Sequence, residues 1–293
     1  MGCSGSKSSA DVEVQKQDRP PSEFHSDVKE HKDPAIAAFV GVTTTPIQDD
    51  YDFTQASCIG RGGCGEIYAM PRKGTNQMFA IKALHPKSPD ERQALLREIE
   101  VQRTIDHPNI VKVFGCYDTP GDDLLYIVME LCTGGSLFKT LARNGVGEKK
   151  AQELIYTTLG AALYLHHHGI VHRDIKAENF MYERLGIAAE LKMCDFGFAA
   201  MVTPEHEDLC GRMGTPTYMA PELWQRKAHY NSAVDMWAIG VLAYILLSGQ
   251  RPFNDADMKV KMQMICHDPL RFNGWHWDGV SAPAKDFCGP RTL

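Results

Sequence analysis

The sequence contains no C-x-x-C pair, and its nine cysteines follow no regular spacing. A zinc site and a disulfide framework both need such spacing, so neither is predicted. The thiols are therefore interpreted as reduced residues of a cytoplasmic protein.

Long hydrophobic runs are also absent. The most apolar segment is MWAIGVLAYILL, residues 236–247, which is shorter than the roughly 20 residues that a membrane-spanning helix needs. We predict a buried core helix there instead. The N-terminus has no apolar secretory segment either.

Clustered basic residues and calcium-binding loops are missing as well. The formal net charge of −6 argues against a nucleic-acid partner, which would need grouped Lys and Arg. No D-x-[DN]-x-[DN]-G pattern occurs, so no intrinsic calcium site is predicted. The 293 residues, of which 43% are hydrophobic and 23% charged, are ample for one large domain or two lobes.

The N-terminus begins MGCSGSKSSA, where Gly2 follows the initiator Met and Ser6 fits the myristoylation pattern. One myristoyl chain binds membranes only marginally, so a second signal is needed, and palmitoylation of Cys3 is the candidate. A polybasic run cannot be the second signal, because residues 1–50 contain five Lys and Arg against nine Asp and Glu. We therefore expect a tether to the cytosolic face of a membrane; the alternative is a tail that begins Met-Gly by chance.

Residues 1–50 are polar and carry few aromatics, so they are predicted to be disordered. The folded domain is expected to span residues 51–293.

A glycine-rich stretch, IGRGGCGEIYAM, has Gly60, Gly62 and Gly65 at G-x-G-x-x-G spacing. In a dinucleotide-binding fold the third glycine would open a helix. Here EIYAM, the turn PRKGTNQ and MFAIKAL follow, which predicts strand, turn and strand. A hairpin of this kind can lay backbone N–H groups over phosphates, because glycines allow close approach.

Lys82 ends the alternating segment FAIK, on the strand paired with the glycine loop. From there its amine could reach the same phosphates, and a carboxylate would be needed to hold it. The helical segment SPDERQALLREIEVQRTIDHP offers Glu98 and Glu100. Counting back from His107, where the chain leaves the helix, favours Glu98, with Glu100 as the alternative.

The segment VHRDIKAENF matches H-R-D-x-x-x-x-N with His172, Arg173, Asp174 and Asn179. CDFG and MAPEL follow in order, the latter ending the activation segment. Together with the glycine loop, these motifs resemble the protein kinase superfamily, most closely its calcium/calmodulin-dependent group, which includes the calcium-dependent kinases of plants and protists. The resemblance covers roughly residues 51–287.

The resemblance implies phosphoryl transfer from ATP to a protein hydroxyl, with Mg²⁺ as the metal. Asp174 would accept the proton of the substrate hydroxyl, and Lys176 would place its ammonium near the transferred phosphate. Asn179 and Asp195 would bind Mg²⁺ through oxygen, which suits this cation. Lys82 and Glu98 would form the supporting ion pair.

The resemblance also implies an α+β, two-lobed protein kinase fold. The small β-rich lobe would span about residues 51–130 and the larger helical lobe about residues 133–293. MAPEL contributes Glu222, whose arginine partner in the family would follow beyond CGPRTL, so the large lobe is expected to be incomplete at its end. In the long central helix, Asp235 would accept backbone N–H groups of the catalytic loop.

For the nucleotide, the resemblance implies a pocket formed by the glycine loop, the apolar residues around adenine and the linker between the lobes. Met181 would complete the apolar floor. The full set of nucleotide-contacting residues is Ile59, Gly60, Arg61, Gly62, Gly63, Cys64, Gly65, Glu66, Ile67, Ala80, Lys82, Met129, Glu130 and Cys132.

For the substrate, Phe198 implies a preference for Ser over Thr acceptors. Glu178 stands where related kinases contact a basic residue, and Thr215 is the third expected contact. Gly211 occupies the place of the usual loop phosphate acceptor, so activity is expected to need no loop phosphate. The acids Glu205, Glu207 and Asp208 would substitute for that charge.

Three functions remain open at this point. The first is an active, membrane-tethered serine/threonine kinase. The second is a lipid-anchored module with a kinase-like fold that binds ATP or a partner without turnover. The third is a small-molecule phosphotransferase, which MAPEL and the glycine loop disfavour.

Overall fold

The computed structural model describes residues 42–62, 65–75, 77–141, 145–186, 188–202, 209–225 and 229–289. They form a β-rich N-terminal lobe and a mainly helical C-terminal lobe. The α+β, two-lobed architecture that the resemblance implied is confirmed.

The N-terminal lobe is built on a six-stranded sheet with strand order β1-β5-β6-β4-β3-β2. β1 runs parallel to β5, and the other neighbours are antiparallel. The strands are β1 Val42–Thr43, β2 Ser57–Gly62, β3 Gly65–Pro71, β4 Met78–Leu84, β5 Val113–Tyr117 and β6 Leu125–Met129.

β2, β3 and β4 confirm the strand, turn and strand order that the sequence predicts after the glycine loop. No helix opens at Gly65, so the dinucleotide-binding alternative is excluded. In the β3–β4 pair, Ile67 lies opposite Lys82, which fixes the lysine next to the glycine loop.

One helix, α1 (Pro89–Thr104), packs against this sheet. The Ser88 hydroxyl accepts the N–H of Glu91 at 3.2 Å and caps the first turn, where Asp90 and Glu91 suit the helix dipole. Ile99 is buried in an apolar cluster with Val113 of β5. The packing of this helix places Glu98 on the wall of a cavity that Lys82 also lines.

Residues 42–50 differ from the sequence expectation, which assigned them to a disordered tail. β1 pairs with β5, and Ile47 is fully buried in the sheet's second apolar cluster. The Tyr117 hydroxyl also donates to Asp50 at 2.6 Å. The folded part therefore starts before residue 51, because these residues supply an edge strand and a core side chain.

The C-terminal lobe is organised around α4 (Ala233–Ser248), whose side chains are buried almost all round. The core helix predicted at residues 236–247 is confirmed. The other helices are α2 Leu137–Thr140, α3 Glu148–His167, α5 Met258–His267 and α6 Ala282–Phe287. Within the described ranges, none of the helices has the length and apolar character to cross a bilayer.

Three two-stranded ribbons lie between residues 170 and 230 of the described chain. β7 pairs with β10, β8 with β9, and β11 with β12. Their bounds are β7 Ile170–Val171, β8 Phe180–Tyr182, β9 Leu191–Met193, β10 Ala200–Met201, β11 Leu209–Cys210 and β12 His229–Tyr230.

Candidate active site

The glycine loop joins β2 to β3, with Gly60 opposite Ile67 and Gly62 opposite Gly65. Gly65 has φ +117°, and a Cβ there would lie 2.1 Å from the carbonyl oxygen of Ala83. Only glycine fits this position, because an L side chain would meet both backbone strain and a clash. Gly63 and Cys64 lie outside the described residues.

Lys82 projects from β4 toward the segment after β9, where its Nζ lies 3.0 Å from Oδ1 of Asp195. Burial raises the pKa of the Asp195 carboxyl, but the charge and hydrogen bond of Lys82, together with His172 and the backbone N–H of Gly197, keep that pKa below its ordinary value. Two predicted site residues, 113 positions apart in the chain, are thus joined directly.

Glu98, the expected partner of Lys82, has a different hydrogen bond. Its Oε1 accepts from the Gln102 side-chain amide at 2.9 Å, one turn along α1. Burial raises the pKa of Glu98 to about 7, because loss of water outweighs the opposing field of Lys82. The structure therefore places Glu98 close enough to Lys82 to feel its charge, while Lys82 bonds to Asp195.

Asp174 is the centre of a dense hydrogen-bond cluster and is almost fully buried. Its carboxylate accepts from Lys176 Nζ at 2.5 Å and from the Asn179 amide at 3.0 Å. Thr215 donates its backbone N–H and its hydroxyl to the other carboxylate oxygen, at 2.9 and 2.7 Å. Lys176 also reaches the Thr215 hydroxyl at 2.8 Å. The three predicted residues of the catalytic loop therefore meet one predicted substrate contact.

Asp235 anchors the catalytic loop from below, as the sequence predicts. Its buried carboxylate accepts the backbone N–H groups of His172 and Arg173 at 2.9 and 2.8 Å. His166 of α3 adds a third contact at 2.8 Å. Because these bonds hold two successive peptide units, they fix the backbone that leads into Asp174.

Arg173 and Asp195 are the non-glycine residues with positive φ in the described part of the chain, both at 63°. That left-handed conformation costs an L residue roughly 1–2 kcal/mol. Such strain persists only where surrounding bonds hold the backbone, and it clusters at functional sites. Here the bonds are those of Asp235 to Arg173 and of Lys82 to Asp195.

The other expected nucleotide contacts line the β2–β6 part of the sheet and the linker. Ala80 is buried opposite Met129, whereas Ile59 is half exposed. The N–H of Glu130 donates to the carbonyl of Lys112 at 2.9 Å, so this donor is already used. Burial raises the pKa of the Cys132 thiol to about 12.

The remaining expected contacts follow the same surface. Gly60, Arg61 and Gly62 are on β2, and Glu66 and Ile67 are on β3. The Glu66 carboxylate pairs with Arg61 at 3.0 Å. Met181 of β8 forms a bridge with Ser136, beneath the linker.

A cavity of about 350 Å³ extends from Lys82 toward α1. Glu98, Asp195 and Phe196 contribute to its wall, together with Arg173 from the catalytic loop. Lys82, Glu98, Asp195 and Arg173 therefore face one cavity.

Asn179 and Asp195 have the donor chemistry for Mg²⁺. The Asn179 side-chain nitrogen donates to the backbone oxygen and the carboxylate of Asp174, which leaves its carbonyl oxygen as the available ligand. Asp195 supplies a carboxylate kept ionised by Lys82. One or two protein oxygens, completed by phosphates and water, are what this cation takes in nucleotide sites.

On the substrate side, Glu178 is exposed next to the catalytic loop. The carbonyl of Phe198 accepts a bond from the Arg173 guanidinium. Gly2, Cys3, Glu205, Glu207 and Asp208 lie outside the described residues.

Sequence reasoning missed three residues of the site. His166 supports Asp235, Gln102 binds Glu98, and the Tyr230 hydroxyl accepts from Arg173 Nη1 at 3.1 Å. Gln102 was detectable in principle, because it is a polar residue on the apolar side of α1, one turn after Glu98. The other two depend on long-range contacts.

The sequence matches the family described as "Protein kinase domain" over residues 53–290. It is 36% identical over 247 residues to calcium/calmodulin-dependent protein kinase type 1 of Caenorhabditis briggsae, covering 83% of this chain and 67% of the relative. It is 38% identical over 231 residues to serine/threonine-protein kinase H1 of Homo sapiens, covering 78% and 54%. Calcium/calmodulin-dependent protein kinase type 1B of Rattus norvegicus is 38% identical over 232 residues, covering 78% and 66%.

The chain thus spans between about half and two thirds of the length of these relatives. The family match nevertheless covers most of the chain, and it contains each predicted catalytic and metal-binding residue. The relatives are named for serine/threonine or calcium/calmodulin-dependent kinases. The chain belongs to the protein kinase family, and within it to the serine/threonine kinases.

Proposed function

We propose that this chain transfers the γ-phosphate of ATP to a serine or threonine hydroxyl of a protein. The observation that carries the proposal is the cluster of Asp174, Lys176, Asn179 and Thr215, in which each side chain hydrogen-bonds to the Asp174 carboxylate. A buried carboxylate with a fixed orientation can align a substrate hydroxyl, which a loose phosphoryl-transfer transition state needs more than a strong base.

The other residues take complementary roles in this proposal. Lys82 binds phosphate oxygens from β4, and Glu98 supports Lys82 when the lysine leaves Asp195. Lys176 lies 2.5 Å from the Asp174 carboxylate, so its ammonium stabilises charge at the transferred phosphate. When bound through Asn179 and Asp195, Mg²⁺ supplies charge neutralisation between the phosphates.

Substrate choice is proposed on the residues flanking this cluster. Phe198 favours Ser over Thr acceptors, and exposed Glu178 contacts a basic substrate residue. Thr215 contacts the substrate near its acceptor. Matched Ser and Thr peptides, with and without an upstream Arg, would test both preferences.

Activity is proposed to need no loop phosphate. In support, the Arg173 guanidinium donates to the Tyr230 hydroxyl and to the carbonyls of Phe198 and Ala199. Its donors are thus engaged by groups of the protein itself, and Gly211 offers no hydroxyl for phosphorylation.

Membrane tethering through Gly2 and Cys3 is proposed on the sequence pattern alone. Metabolic labelling with an alkyne-bearing myristate should tag the wild-type chain and not Gly2→Ala. Cys3→Ser should keep the myristate but reduce membrane recovery, because one acyl chain binds only marginally.

The decisive test of the kinase is phosphate incorporation by purified protein with Mg²⁺, labelled ATP and a basic serine peptide. Asp174→Asn should lower the rate by roughly 10²-fold or more. Asp123→Asn, an exposed matched change, should leave it unchanged. Equal incorporation by wild type and Asp174→Asn would refute the proposal.

The same preparation tests the second function, a nucleotide-binding module. Its supporting observation is that Lys82 bonds to Asp195 and Glu98 bonds to Gln102, so each member of the expected pair is shared with another group. Calorimetric binding of ATP without any incorporation would favour the module.

A further inference from the structure

Arg212 presents its guanidinium on the surface, directly over an aromatic ring. The Arg212 Cζ lies 3.9 Å from the centroid of the Trp224 ring, and the residue remains exposed. A cation stacked on tryptophan is attracted by the ring's negative face, which limits the orientations of an otherwise mobile side chain. The positive charge of Arg212 therefore has a defined place.

Trp224 and the chain two residues after Arg212 are both packed against the rest of the lobe. Trp224 ends the short 3-10 helix Pro221–Trp224 and packs against a buried cluster that includes Leu223 and Tyr230. On the other side, Gly214 passes so close to the catalytic loop that a Cβ there would lie 2.5 Å from the carbonyl oxygen of Arg173.

Arg212 is also close to the reaction centre along the chain. It stands three residues before Thr215, whose N–H and hydroxyl bind Asp174. Three residues span at most about 10 Å of extended chain. A peptide whose hydroxyl lies at Asp174 therefore carries its nearest neighbours within reach of Arg212.

Arg212 has no ion pair with a carboxylate of the described residues. Within the described ranges, no carboxylate lies within 4.0 Å of its guanidinium, in a chain whose net charge is −6. Partial burial lowers the pKa of Arg212, but a guanidinium stays protonated at neutral pH. An arginine that is stacked on a ring and has no ion pair within the described ranges offers a planar fork of donors, which suits a carboxylate or a phosphate.

We propose that Arg212 binds an anionic side chain of the protein substrate, a carboxylate or a phosphate, located within about three residues of the acceptor hydroxyl. The proposal rests on the kinase function proposed above. It assigns a specificity role to Arg212 and a positioning role to Trp224, which holds the guanidinium without contacting the substrate.

The test is a positional library of serine peptides in which Asp, Glu, phosphoserine or Lys occupies each of the three positions on either side of the acceptor. For the wild type we expect about tenfold higher kcat/KM for an anionic residue at one position, the ratio that corresponds to about 1.4 kcal/mol. The Asp, Glu and phosphoserine arms show whether the source of the anion is a carboxylate or a phosphate.

Variants of Arg212 and Trp224 distinguish binding of the substrate's anionic residue from a purely structural role in the activation segment. Arg212→Gln should lose the preference while phosphorylating a neutral peptide at the wild-type rate, and Arg212→Glu should prefer Lys at the same position. Trp224→Leu should weaken the preference, since the guanidinium is no longer held. Arg184→Gln is the matched control, because Arg184 is an exposed arginine bonded to Glu183 at 2.9 Å.

Three results would overturn the inference: no anionic preference in the wild type, an unchanged preference in Arg212→Glu, or an equal loss of rate on every peptide in Arg212→Gln. The last would mean that Arg212 only braces the loop. Failure of the kinase function itself would look different, because incorporation would then not depend on Asp174.

Discussion

Thr215 donates both its backbone N–H and its hydroxyl to the same carboxylate oxygen of Asp174, although 41 residues separate the two in sequence. The bonds tie the activation segment to the catalytic loop through one buried acid. Since Lys176 also donates to the Thr215 hydroxyl, this hydroxyl links the proposed base to the proposed phosphate-binding ammonium.

Removing the Thr215 hydroxyl should therefore impair the chemical step. Thr215→Ala should lower kcat by roughly 10–100-fold, the range expected from losing a hydrogen bond to a charged group, and leave the KM for ATP nearly unchanged. Steady-state kinetics would measure both constants. Thr215→Ser should restore most of the rate, and Thr140→Ala, at an exposed helix residue, should behave like wild type. A parallel loss in Thr215→Ser would contradict the hydroxyl's role.

Asp235 should be essential for stability as well as for activity. Asp235→Asn keeps the shape but replaces one acceptor oxygen by a donor, which leaves at least one of the three N–H groups unpaired. Breaking a buried charged network typically costs about 3–5 kcal/mol of unfolding free energy. Urea unfolding should show this loss, whereas Asp123→Asn should not move the midpoint. A midpoint within error of wild type would show that the three bonds are dispensable.

Glu98 should make the folded state less stable as pH rises. The pKa of Glu98 is about 7 in the folded chain against an ordinary value of 4.5, a difference worth about 3 kcal/mol. The folded state keeps the proton longer than the unfolded chain. The favourable contribution of neutral Glu98 is therefore fully present below pH 4.5 and is lost as pH rises to 7.

The comparison of Glu98→Gln with wild type isolates this effect. The variant stays neutral, so its free energy of unfolding relative to wild type should increase between pH 5 and pH 8. Chemical denaturation at both pH values would measure it. Glu100→Gln, on the same helix, is the control and should follow wild type. If the two variants show the same pH dependence, Glu98 does not titrate in this window.

Tyr230 should replace a loop phosphate as the partner of Arg173. Its hydroxyl accepts from Arg173 at 3.1 Å and donates to the carbonyl of Cys210 at 3.4 Å. Tyr230→Phe should therefore reduce kcat by about tenfold, the effect of about 1.4 kcal/mol. Wild type treated with phosphatase should keep its full activity.

The matched control for this change is Tyr156→Phe, whose ring lies on the exposed surface of α3. It should be indistinguishable from wild type. A large rise in wild-type activity after phosphorylation of the activation segment by another kinase would contradict the role given to Tyr230.

The sequence predicts which residues form the site better than it predicts the hydrogen bonds between them. Lys82, Asp174, Asn179 and Asp195 are predicted because phosphoryl transfer needs fixed residue types at fixed spacings, and the structure bonds Lys82 to Asp195 and Asn179 to Asp174. The Asp235 contacts with the catalytic loop were likewise predictable from the resemblance, and the backbone bonds confirm them.

The spacing makes Gln102 a neighbour of Glu98, but the position of Lys82 relative to both residues cannot be predicted from it. Gln102 lies one turn from Glu98 on the same helix, whereas the distance from Glu98 to Lys82 depends on how the helix packs against the sheet. Asp195, 113 residues after Lys82, also bonds to the lysine, and a local sequence pattern cannot predict a contact between residues so far apart.

The start of the fold was missed for a related reason. The segment 42–50 is short and mostly polar, and Ile47 is its one buried residue. Their pairing with β5 depends on an edge of the sheet that forms about 70 residues later in the chain. Composition, which averages over a window, cannot detect a single anchoring side chain.

The left-handed backbone at Arg173 and Asp195 sets a limit for anyone who tries to make this enzyme more heat-resistant. Glycine at either position would relieve the torsional cost, so a library screened only by melting temperature would be drawn toward it. Such gains would remove a charged group from the reaction centre. Engineering for robustness should therefore exclude these two positions and look for its improvements far from the cleft.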